Sequence, residues 1–119
     1  MITGAHVVLY SRDPDADREF LGRILGLPNV DAGRGWLIFA LPPAEIAVHP
    51  ADENDRHELY LMCPDIQHEV ADLQSKGIAC EALTEARWGV ITHLTLPGGG
   101  RLGVYQPKHP IAAGLKTRE

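Results

Sequence analysis

Apolar positions in this chain change their period along its length, and the changes mark alternating strands and helices. Residues 4–11, "GAHVVLYS", are rich in β-branched and aromatic side chains and predict a strand. Residues 12–28, "RDPDADREFLGRILGLP", switch to helical spacing, with Ala16, Phe20 and Ile24, and Leu21 and Leu25, on one face. Asp13 is placed to cap this helix, Pro14 suits its first position, and Gly26 followed by Pro28 ends it. "NVDAGRG" reads as a short polar segment, "GWLIFALPP" as a strand stopped by two prolines, and "AEIAVHP" as one more strand.

The same order then returns. "ELYLMCP" predicts a strand. "DIQHEVADLQSKG" predicts a helix with Asp65 as cap, Ile66, Val70 and Leu73 as the buried stripe, and Gly77 as the stop. "IACEALTEA", "WGVITHLTLP" and "RLGVYQP" predict three strands, the last two joined by the glycines at 98–100. "WLIFALPPAEIAVHP" in the first half answers "WGVITHLTLPGGGRLGVYQP" in the second. Two copies at a spacing of about fifty residues argue against a solenoid and for a duplicated unit. The expected fold is α+β: two tandem βαβββ modules forming curved mixed sheets around a cleft, each with one helix on its outer face. Module one runs over about 4–50 and module two over about 57–107, in a single domain spanning 1–119, with 108–119 as an extended C-terminal arm.

Composition adds limits. The chain has 119 residues, 45% hydrophobic and 23% charged, enough for one core without staples. Its net charge of -5 and lack of a basic block argue against a nucleic-acid partner. No apolar run has the length of a membrane span, and the N-terminus shows no signal pattern. Two cysteines, Cys63 and Cys80, outside any Cys-x-x-Cys pair, fit a reduced, cytoplasmic chain. The three glycines at 98–100 lack the strand–loop–helix setting and the Lys of a phosphate loop, so they read as a turn.

The order of elements, a His in the first strand, a capped helix ending near "LG" and a glycine turn before the last strand together resemble the vicinal oxygen chelate superfamily. This is the glyoxalase / bleomycin-resistance / extradiol-dioxygenase family. The resemblance covers nearly the whole chain and implies a homodimer with a small-molecule pocket on a concave sheet. It implies either one divalent metal ion (Fe, Mn, Ni or Zn), held by side chains of the first and last strands of each module, or, as in drug-sequestering members, none.

Carried over residue by residue, the family's ligand positions fall on His6, Glu58, Ala47 and Gly103, so two of the four offer no donor. His57 is one residue out of phase with Glu58 and points the other way. His49, two residues beyond Ala47, faces the same way. It would complete a His6, His49 and Glu58 set of the kind that suits non-haem Fe(II), and Tyr105 can add a phenol oxygen.

The residues themselves leave plainer readings open. His6 also fits a strand histidine satisfied by a backbone carbonyl. Glu58 fits a simple partner for His6, as well as a metal ligand or general base. Trp36 and Trp88 hold matching places in the repeat, as core packing or as walls of a cleft, and Tyr10, Tyr60 and Tyr105 would give that cleft polar tips. The face of His93 is ambiguous. His57, His68 and His109 read as solvated.

Two functions therefore stand beside each other, with an accessory interaction module whose pocket is vestigial as a third. One is a small-molecule-binding protein with a degenerate or absent metal site. The other is a divalent-metal-dependent lyase, isomerase or extradiol-type dioxygenase acting on vicinal oxygens, with Glu58 as ligand or proton shuttle.

Overall fold

The computed structural model describes residues 6–48 and 50–115. The first helix, α1 (Pro14–Glu19), starts as predicted: Asp13 accepts a hydrogen bond from the Ala16 N–H at 3.2 Å, and Pro14 occupies the first turn. It then widens into a π-helical segment, Phe20–Ile24, in which the Leu25 N–H reaches the Phe20 carbonyl. Gly26 stops it with a φ of 70°.

The polar stretch read as a connection pairs instead. Strand β1 (Asn29–Asp31) forms an antiparallel hairpin with β2 (Leu37–Phe39), Val30 lying opposite Ile38. The strands predicted at 4–11 and 44–50 make no sheet ladder among the described residues. Val7, Val8, Leu9 and Tyr10 on the first, and Ile46 and Val48 on the second, are exposed.

Module two is complete. Strand β3 (Tyr60–Met62) leads through Cys63, whose N–H bonds to the Tyr105 carbonyl, into α2 (Ile66–Ser75). Asp65 caps this helix by accepting from the His68 N–H at 3.2 Å, and Gly77, at φ 82°, follows its end. Strands β4 (Thr84–Ala86), β5 (Gly89–Thr95) and β6 (Arg101–Pro107) complete a sheet of order β3-β6-β5-β4, with β3 parallel to β6 and the other pairs antiparallel.

The period of two along β6 assigns its faces. Leu102 and Val104 point to the helices and join Phe20, Cys63, Ile66, Leu73, Leu94 and Leu96 in one core. Gly103 and Tyr105 point the other way, beside Tyr60 and Met62 of β3 and His93 and Ile91 of β5. Two helices with a two-stranded and a four-stranded sheet make the α+β architecture expected from the sequence. Among the described residues, no helix is long and apolar enough to cross a membrane.

Candidate ligand site on the module-two sheet

The face of β3, β6 and β5 turned away from the helices carries a cluster of aromatic rings. Register places Tyr60 and His93 on either side of Gly103, while Met62 and Ile91 flank Tyr105. The Tyr60 ring lies edge-on to Trp88 at 5.5 Å, to His93 at 5.7 Å and to Tyr105 at 5.9 Å. Trp88 and Tyr105 are 4.9 Å apart at 72°. These T-shaped contacts set the positive edge of one ring against the negative face of another, which orders the cluster beyond simple area burial.

Gly103 makes that arrangement possible. A Cβ at this position would fall within the Tyr60 ring, with Tyr60 Cγ only 2.9 Å away. Gly89 does the same for Tyr105, since a Cβ there would lie 2.7 Å from Tyr105 Cδ2 and from the Gln106 carbonyl oxygen. Glycine at 103 is thus a packing requirement of the Tyr60 ring, at the position where the family pattern places a carboxylate.

The polar tips are engaged. The Tyr60 hydroxyl donates to Glu58 at 3.4 Å, and Glu58 itself is exposed. The Tyr105 hydroxyl lies 3.0 Å from His109 Nε2, and His109 Nδ1 is 2.7 Å from the Pro110 carbonyl. A carbonyl only accepts, so Nδ1 carries a proton. Burial pushes the pKa of both tyrosines up, helped by Glu58 at Tyr60 and by Glu45 at Tyr105, so both phenols are neutral at physiological pH. Burial likewise raises Cys63, on the helix side of the sheet, to about 11, which leaves a thiol and not a nucleophilic thiolate.

The sequence-predicted residues fall in different places. Tyr60, Trp88 and Tyr105 come together in the cluster, and Glu58 sits at its rim. His6 and Trp36 instead line a cavity of about 470 Å³ on the helix side, bounded by Leu21, Leu61 and Leu102. Tyr10 is 94% exposed and belongs to neither. His49 lies outside the described residues.

Among the described residues, no three His, Cys, Asp or Glu side chains are grouped to hold a metal ion. With Gly103 filled by a ring, and with His6 and Glu58 on separate surfaces, the described donors do not fit the family's metal centre.

Two residues of the site escaped the sequence reading. His93 is fixed on the ring face by its pairing with Gly103, a register that strand alternation alone does not supply. His109, read as solvated, packs on Tyr105 at 5.9 Å because the chain folds back after Pro107.

This fold and site bear directly on comparison with solved proteins. TnmS3, an antibiotic-binding protein from Streptomyces sp. CB03234, superposes with a TM-score of 0.64 at 22% identity, over 91% of this chain and 100% of that one. A glyoxylase/bleomycin resistance protein/dioxygenase domain from Frankia sp. EAN1pec gives 0.62 at 18%, over 91% and 100%. The chain has the vicinal oxygen chelate fold. A lactoylglutathione lyase from Agrobacterium tumefaciens, with a TM-score of 0.61 at 17% identity over 87% of this chain and 92% of its own, shares it. The fold therefore spans binding proteins and enzymes, and identities this low carry the architecture alone. No family model matches the sequence, and no curated protein does.

Proposed function

We propose that this protein binds a flat, aromatic small molecule on the module-two sheet without help from a metal ion. The observation that carries the reading is the Tyr60 ring seated over Gly103. The position that would supply a metal-ligating carboxylate is given over to an aromatic wall, and Trp88, Tyr105 and His93 extend that wall. Such a surface offers contact area at little conformational cost, since each ring is already held by its neighbours.

The half-exposed faces of Tyr60, Trp88 and His93 are the parts left for a ligand to stack on. Glu58, beside the Tyr60 hydroxyl, would accept a hydrogen bond from the ligand's polar edge. TnmS3 is an antibiotic-binding protein of the same fold, and an aromatic antibiotic is the ligand class that this surface would suit.

A second copy of the chain would supply the opposite wall. Among the described residues, module one leaves two extended segments without strand partners, and its Tyr10 and Trp36 are exposed. A homodimer in which these segments pair across the interface would close the open sheet into a cleft.

A thermal-shift screen against planar aromatic antibiotics tests the reading. We expect at least one compound to raise the melting temperature of the wild-type protein and to lose that effect with Trp88→Ala. A screen in which no aromatic compound shifts the wild type would overturn it.

A further inference from the structure

We infer that residues 108–115 form a strap over the Tyr105 end of the aromatic face, that Glu45 of module one is its latch, and that the strap controls access to that face. The functional part of the inference rests on the aromatic face being the ligand site. The latch itself stands on geometry alone.

The strap begins where β6 ends. The Lys108 N–H donates to the Trp88 carbonyl at 2.9 Å, which ties its root to the cluster. His109 then lies tilted by 31° on the Tyr105 ring, with Nε2 3.0 Å from the Tyr105 hydroxyl. Tyr105 is only 7% exposed, on the sheet face opposite the core that Leu102 and Val104 join. Its neighbours Tyr60 and Trp88 retain partial exposure, so burial is deepest at the end where the strap crosses.

The latch comes from the other module. The Glu45 side chain is 19% exposed and accepts hydrogen bonds from two consecutive strap amides, Ala112 at 2.9 Å and Ala113 at 3.0 Å. Its second oxygen is 3.6 Å from His109 Nε2. One carboxylate thus caps the strap's final turn, closed by the Leu115 N–H on the Ala112 carbonyl, and borders the histidine that covers Tyr105. Two charge-assisted bonds to adjacent amides are strong enough to hold a short segment, yet few enough to break without unfolding the sheet. Glu45 is therefore a positioning residue: it acts on the ring face through the strap and His109.

Hydrogen exchange on the full chain reads the latch, and acrylamide quenching of Trp88 in a Trp36→Phe background reads access. Neither needs a ligand. We expect Glu45→Ala to speed exchange of the Ala112 and Ala113 amides by about tenfold or more, leaving the Leu102 and Val104 amides unchanged. Quenching of Trp88 should rise in the same variant. Glu45→Gln keeps an acceptor oxygen and should restore both readouts towards wild type, which general destabilisation would not do.

Equal exchange at Ala112 and Ala113 in the wild type and Glu45→Ala would overturn the latch. Faster exchange with unchanged quenching would overturn control of access. Failure of every aromatic compound to bind would instead count against the ligand reading, and would leave these two results as they stand.

Discussion

A single glycine decides what the site can be. At Gly103 the absence of a Cβ lets the Tyr60 ring lie on the strand, and the three edge-to-face contacts of that ring follow from its seat. Gly103→Ala should push the ring away and cost about 1–3 kcal/mol by overpacking. Urea unfolding would measure this, and a Tyr60→Ala partner should relieve much of the loss, giving a coupling between the two sites.

The sequence showed the missing carboxylate at 103, but not the ring that fills its place. Strand alternation put Tyr60 and Tyr105 on the face of Gly103, and that much was legible. The face of His93 depends on its register with β6, and the place of His109 depends on a chain reversal. Both are non-local, so neither leaves a mark in the local pattern.

Among elements, the local signals were the readable ones. Asp13 and Asp65 cap their helices, and Gly26 and Gly77 follow them with positive φ, because each of these interactions closes within a few residues. Strand pairing is settled by distant partners instead. The apolar segments at 6–10 and 44–48 carry a strand pattern with no ladder among the described residues, while polar Asn29–Asp31 pairs because the adjacent turn folds it onto β2.

The join between modules was equally hidden. Asp17 of α1, 7% exposed, accepts the Gly98 N–H at 2.7 Å, at glycines that the sequence pattern marks only as a turn. A Cβ at Gly98 would stand 2.9 Å from Asp17 Oδ2, so the glycine admits the carboxylate. Asp17→Ala should destabilise the chain by about 1–3 kcal/mol, the range for losing a buried bond to a charged group. Asp17→Asn, which keeps an acceptor, should lose less in the same urea titration.

At the scale of the molecule, the chain is looser than its length predicts. Its radius of gyration is 15.3 Å, against about 13.5 Å for a compact domain of this size. The excess accompanies exposed Tyr10 at 94%, Ile46 at 92% and Val48 at 94%, large side chains on segments that form no ladder among the described residues. A second copy pairing with these segments would bury them, and we expect sedimentation at twice the chain mass, reduced to the monomer by Ile46→Lys with Val48→Lys. A wild type that stays monomeric at micromolar concentration would contradict the dimer.

The central claim is narrower, and one titration tests it. The compound with the largest thermal shift is titrated into protein stripped with EDTA, and into protein reloaded with Fe(II), Mn(II), Ni(II) or Zn(II). The account predicts the same affinity in every case, weakened about tenfold by Tyr60→Ala through lost ring contacts. Binding that appears only in metal-loaded protein, and disappears with His6→Ala or Glu58→Ala, would contradict it.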